Sequence, residues 1–374
     1  MAQSGSYMIG IYRERFEEIT MDPRIKEHAK ILVEWSTEVQ KGDMVLISAS
    51  PNAHDLVVAV TKEVAESGGS SVVLMQSEDV ARAYYDGASD ETLELFPKHM
   101  DALVENADVF IGISAPVNTK ALTNVDPMKI MTRSKTNKEI NDKVITKRWV
   151  GTVHPCTTLA QQGNMSLGEY QDFAYSAMLI DWKNESKKWY LMKEHLENHD
   201  DIRFVGPETD LYAKTEGRIW IAGDGKKNMP DGEVFTSPIE DTVEGKIYFD
   251  IPFLKQGRVV EGVRLTFEKG ELVDFSAEKS EDVLKAIIET DEGSKKLGEM
   301  AIGTNRGIKK HTLNMLFDEK IGDTIHCALG MGFPDANGTN QSAIHVDMIK
   351  TMKEGEVTAG DEVIYSKGKF FYEK

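Results

Sequence analysis

Cysteine is nearly missing from this chain: Cys156 and Cys327 are the two present in 374 residues. One disulfide between them is conceivable, but the cysteine framework that staples small secreted domains is excluded. No stretch of about twenty apolar residues occurs, so no segment reads as a membrane span. The opening MAQSGSYMIGIYRERFEE lacks the charged-then-apolar order of a secretory leader. These absences point to a cytoplasmic protein. Basic residues are also short, with 44 Lys and Arg against 62 Asp and Glu, a net charge of −18. Such a chain repels phosphate backbones, which argues against a nucleic-acid partner, and it draws cations toward carboxylates. No G-x-G-x-x-G follows the first predicted strand, and no Walker A motif occurs. Internal repeats and low-complexity tracts are absent.

What is present is enough chain for two ordinary domains, 40% hydrophobic and 28% charged. The first half alternates helix-like and strand-like segments. Residues 22–40 carry Ile25, Ala29, Leu32 and Trp35 at helical spacing, and 54–68 form a second helix ending on Gly68-Gly69. Strands are predicted at 43–50, 71–76, 107–116 and 147–155. This alternation implies a parallel sheet covered by helices on both faces. From about 200 the pattern changes to short strands, at 218–223, 245–252 and 257–277, with one helix at 280–293 that Ser280 would cap. The expected fold is therefore α/β, with an N-terminal parallel-sheet domain over 1–200. A β-rich α+β domain over 201–374 would carry the chemistry, with the boundary in the polar stretch 197–205.

The chemistry concentrates near the C-terminus. His326 lies in TIHCAL, and His345 and Asp347 lie nineteen residues on in SAIHVD, across a Gly/Pro/Asn-rich loop. In a strand, residues two apart share a face, so His345 and Asp347 can meet one ion while His326 arrives from a neighbouring strand. Two imidazoles and a carboxylate suit zinc, cobalt, manganese or iron. Glu299, inside the uncharged stretch LGEMAIG, reads as a buried carboxylate in need of a partner. Glu233 opens an apolar run after a turn.

The ordered phrases NMPDGEVFTSP, TDEGSKKLGE, LFDEK and SAIHVD, and more loosely AQQGNMSLGEYQDF, closely resemble the M29 metalloaminopeptidases of the thermophilic aminopeptidase T type. The resemblance implies an N-terminal α/β domain, a C-terminal domain with a two-metal site, and a homodimer whose sites face an internal cavity. It assigns Glu233, Glu299, His326, His345 and Asp347 as metal ligands, with Glu299 doubling as the catalytic carboxylate. Two divalent ions (Zn, Co or Mn) would activate a water against the first peptide bond of small peptides.

One position departs from the family. A tyrosine that steadies the tetrahedral intermediate is expected seven residues after His326, and Phe333 stands there. Removing such a donor costs about 10²–10³ in turnover; Tyr365, Tyr372 or an amide of the 331–340 loop would have to substitute. The loop between the histidines is also shorter than in other members. Two alternatives stay open: a mononuclear Fe(II) ring-cleaving dioxygenase built on His326, His345 and Asp347, and a catalytically weak or binding-only member. Glu319 and Asp318 are read as structural. His195 and His199 are read as a solvated helix face, His154 and Cys156 as a strand end, and Asn340 as a candidate substrate contact.

Overall fold

The computed structural model describes residues 21–255 and 257–373; the opening segment read for a leader lies outside them. The first half builds the expected parallel sheet. Its strands are β1 (Met44–Ala49), β2 (Ser70–Met75), β3 (Val109–Ser114) and β4 (Arg148–Val153). β1, β3 and β4 are short and mostly buried, whereas β2, at the edge of the sheet, is apolar but largely exposed. Val45, Ile47 and Ala49 join one buried cluster with Leu56, Val57 and Val60 of the helix His54–Glu66. Leu46 points the other way, into a cluster with Val104 and Ile140 from the helices Lys98–Glu105 and Pro127–Ile145. The first helix among the described residues starts at Pro23, with the Asp22 carboxylate accepting from the Arg24 amide, and passes at Ile31–Ser36 into a π-helical turn.

The second half is antiparallel. It holds β5 (Asp201–Gly206), β6 (Thr209–Lys214), β7 (Ile221–Ala222), β8 (Asn228–Met229), β9 (Glu233–Thr236) and β10 (Glu244–Phe249). Next come β11 (Phe253–Lys255), β12 (Arg258–Val260), β13 (Val263–Glu268), β14 (Glu271–Ser276) and β15 (Leu297–Gly303). The last are β16 (Thr324–Gly330), β17 (His345–Thr351), β18 (Glu356–Ala359), β19 (Glu362–Ser366) and β20 (Lys369–Phe370). One sheet runs β14-β13-β10-β6-β5-β18-β19-β20, and a smaller one runs β17-β16-β15-β9-β7. The parallel sheet has the order β2-β1-β3-β4-β8, so its last strand comes from the second half of the chain.

Three local expectations need correction. The strand expected over 218–223 shrinks to Ile221–Ala222. The helix expected over 280–293 ends at Ile288, and a separate 3₁₀ turn follows at Glu292–Lys295. Ser280 does not cap it: its backbone is left-handed (φ 59°), and its hydroxyl donates instead to the Val259 carbonyl at 2.9 Å. Both cysteines are buried and free, so no disulfide joins them.

Candidate metal centre

The register of the smaller antiparallel sheet gathers the five predicted residues on one face. Across β15 and β16, Glu299 pairs with Ala328, Ala301 with His326, and Gly303 with Thr324. On one side, β9 places Glu233 opposite Gly303. On the other, β17 places Asp347 opposite Ala328 and His345 opposite Gly330. Since alternate residues share a face, Glu233, Glu299, His326, His345 and Asp347 project together. The other face of the same strands carries Met300, Ile302, Ile325, Cys327, Leu329 and Met348, all buried in the main core.

Small residues make the room. Strands two apart in a sheet are separated by about 9.5 Å. Glu233 and His326 can meet only by leaning over β15, where the intervening residues are Ala301 and Gly303. Glu299 meets His345 and Asp347 over β16, where they are Ala328 and Gly330. The result is a trough floored by alanine and glycine. A register shift between Leu297 and Glu299 precedes it. Gly298 fills that irregularity, and a Cβ there would come within 2.2 Å of the Met331 carbonyl oxygen.

The side chains converge closely. His326 Nε2 lies 3.1 Å from Glu233 Oε2 and 3.4 Å from Glu299 Oε1. His345 Nε2 lies 2.9 Å from Glu299 Oε2 and 3.5 Å from Asp347 Oδ1. Candidate ligand atoms of Glu233, Glu299 and His326 all fall within 4.8 Å of one another, and so do those of Glu299, His345 and Asp347. Glu299 belongs to both groups. His345 Nδ1 donates to the Met331 carbonyl at 2.8 Å, since a carbonyl can only accept. That bond fixes the tautomer that leaves Nε2 free to ligate. Burial works against a charged His345 ring, but Asp347 and Glu299 outweigh it and push its pKa up to about 11. The same contest, with Glu233 and Glu299 as partners, holds His326 well above its ordinary value.

These residues fit divalent ions. Glu233 Oε2 and Asp347 Oδ1 are buried and make no well-aligned hydrogen bond, only the close approaches of the His326 and His345 ring nitrogens, a state that a cation between carboxylate and imidazole would satisfy. Three carboxylates and two imidazoles are hard-to-borderline donors that suit zinc, cobalt or manganese.

Sequence reasoning missed one member of the neighbourhood. Lys320 is fully buried; its ammonium contacts Glu319 and lies 3.4 Å from Glu233 Oε1. It enters because the Glu319–Gly322 turn crosses directly over Gly303, where a Cβ would meet the Ile321 carbonyl oxygen at 2.3 Å. Burial raises the Glu319 carboxyl to about 8 despite Lys320, and Asp231 nearby rises to about 7 for the same reason. No spacing rule marks Lys320, a single lysine in the charged phrase FDEK. Asp318 is structural, accepting from the Thr312 amide at 2.7 Å. Asn340 is a loop staple: its amide donates to the Gly293 and Gly330 carbonyls at 2.8 and 2.6 Å. Tyr365 is buried against Phe370 on the larger sheet, where its hydroxyl accepts from the Gly368 amide. Tyr372 stacks on Phe370 beside it. Phe333 does stand at the trough, its ring 4.8 Å from that of His345. A separate cleft of about 660 Å³ opens at the carboxyl ends of β1, β3 and β4, but no titratable side chain lines it.

The M29 profile, described as thermophilic metalloprotease, matches residues 21–370. The chain belongs to the M29 family. It is 28% identical to aminopeptidase AmpS of Bacillus subtilis, over 93% of this chain and 98% of that protein. It is 27% identical to aminopeptidase 2 of Geobacillus stearothermophilus, over 88% and 92% respectively. The solved structure of AmpT from Thermus thermophilus superposes with a TM-score of 0.82 at 23% identity, covering 93% of this chain and 99% of that one. That likeness makes the arrangement of sheets an M29 fold.

Proposed function

We propose that this M29 chain is a metal-dependent aminopeptidase that hydrolyses the first peptide bond of small peptides. The observation that carries the reading is the sharing of Glu299 between two three-residue ligand groups. Glu233, His326 and Glu299 would hold one divalent ion, and Glu299, His345 and Asp347 a second. Bound there, two such ions supply an acidified water and a Lewis acid for the scissile carbonyl. Glu299 takes the proton of the attacking water and returns it to the leaving amine. His345, locked by Met331, and Asp347 orient one end of the trough. Lys320 holds one oxygen of Glu233 and so limits how that carboxylate can turn.

The same reading divides the chain into an N-terminal α/β domain over 1–200 and a catalytic domain over 201–374, working as a cytoplasmic homodimer. The low cysteine content supports a reducing compartment. No helix among the described residues is long and apolar enough to cross a membrane. The iron dioxygenase alternative finds no support in the relatives, and a mononuclear site has no use for Glu233.

The test is hydrolysis of an aminoacyl-amide panel by metal-free protein reloaded with Zn²⁺, Co²⁺ or Mn²⁺. Release of N-terminal residues that vanishes in Glu299→Gln is expected. No release above the Glu299→Gln background with any metal overturns the proposal.

A further inference from the structure

The segment LMKEHLENH spaces His195 and His199 four apart, a pattern that by itself is an ordinary solvated helix face. The fold changes its meaning. The helix Trp182–Glu197 ends beside the β18–β19 hairpin, and Glu362, the first residue of β19, faces both rings. His195 Nε2 contacts Glu362 Oε2, and His199 Nε2 lies 3.6 Å from the same oxygen. Candidate ligand atoms of the three residues all fall within 4.8 Å of one another. Ligands held at 2.0–2.1 Å around a tetrahedral ion stand about 3.3 Å apart, so only small side-chain shifts separate this cluster from a coordination shell.

Both rings are supported from behind. The His195 ring stacks on Phe371, with centroids 4.6 Å apart and planes 17° from parallel. The hairpin turn presses on His199: a Cβ at Gly360 would lie 3.0 Å from His199 Nδ1, and Gly360 has a positive φ of 52°. Each imidazole thus presents Nε2 to the shared carboxylate. Among the described residues, Glu362 has these two rings as its ion-pair partners and no lysine or arginine. Glu194 and Asp361 adjoin the cluster in sequence and add negative charge.

We propose that His195, His199 and Glu362 form a second cation site, separate from the trough on the smaller sheet, that takes a borderline divalent ion of the zinc class. Two imidazoles and one carboxylate select zinc, copper, nickel or cobalt over magnesium and calcium, which prefer all-oxygen shells. Side-chain exposures of 30%, 21% and 54% leave the fourth position to water and let the ion exchange with solution. The ion clamps the end of the helix to the hairpin. β5, which follows the helix directly, pairs with β18 of that hairpin, so the clamp closes a loop of structure.

The test is equilibrium dialysis of the full chain against micromolar Zn²⁺, with metal content measured by mass spectrometry. The wild type is compared with the double variant His195→Gln/His199→Gln and, separately, with Glu362→Gln. The wild type should retain one zinc per chain more than either variant, and its thermal midpoint should rise further on zinc addition. The difference does not depend on how many ions the trough holds. Peptide hydrolysis should be unchanged in both variants, which also confirms that they fold. Magnesium in place of zinc should produce no difference. Equal zinc content in all three proteins would overturn the proposal and leave a simple imidazole–carboxylate contact.

Discussion

Replacing Lys320 by methionine tests the electrostatics of the trough. The ammonium is fully buried, against Glu319 and 3.4 Å from Glu233 Oε1. At that separation a charge pair is worth about 5 kcal/mol with an effective dielectric constant near 20. Deleting one partner of a buried pair costs about 3–5 kcal/mol, because the other charge is left unpaired. With unfolding entropy near 2.1 cal/mol/K per residue, a loss of about 4 kcal/mol in a chain this long lowers the thermal midpoint by about 5 °C. That drop is expected in metal-free protein, where Lys320 offsets Glu233. In metal-loaded protein the ions offset Glu233 directly, so the drop should be clearly smaller. Scanning calorimetry of both proteins in both states, at one scan rate, decides the matter. An equal drop with and without metal would refute the account of Lys320 as the centre's internal counter-ion.

Three further outcomes follow from the geometry. Phe333→Tyr places a hydroxyl beside the His345 ring, 4.8 Å away between centroids; turnover should rise by about 10² with little change in KM, and unchanged turnover would show that another donor already serves. Ala328→Val adds two carbons to the trough floor between Glu299 and Asp347; it should cost about 1–3 kcal/mol by overpacking and lower the metal content measured by mass spectrometry, whereas full occupancy would count against a trough. His28 is buried, its Nε2 3.1 Å from Thr152 Oγ1, and burial lowers its pKa to about 3. Because the folded value lies below the unfolded one, stability is intact above pH 6.5 and falls by about 1.4 kcal/mol per unit as pH drops toward 3; urea titrations of His28→Gln should show that slope reduced by one proton.

The first half was legible because its strands read as continuous apolar runs, even the exposed edge strand β2, with helices of clear period at Pro23–Lys30 and His54–Glu66 beside them. The helix Pro127–Ile145 escaped notice since Ile140 is its one fully buried residue, which leaves almost no apolar stripe to read. The histidine pair and Asp347 were legible because strand alternation is local. Glu233 and Glu299 lie far from them in sequence, and only the family resemblance joined them. Ala301, Ala328 and Gly303 could not be recognised as the floor of a trough, because that meaning depends on cross-strand register. Lys320 was hidden for a similar reason: its burial is created by a turn lying over Gly303. Ser280 satisfied the composition rule for a cap but not the backbone angle a cap requires.

The strand β8 ties the two halves of the chain together at the first ligand. Asn228 and Met229 pair with Gly151 and Thr152 of β4, and Thr152 Oγ1 donates to the Met229 carbonyl at 2.7 Å. Four residues after Met229 the chain delivers Glu233 to the trough. The parallel sheet, through β8, is therefore an abutment for one carboxylate, while the other four ligands hang on β15, β16 and β17, none of which pairs with it. Recombination between M29 relatives should respect that joint. A chimera spliced at residue 200 would divide the β4–β8 seam between two parents and misplace Glu233 alone; one spliced after Thr236 would inherit the seam and its carboxylate from a single parent.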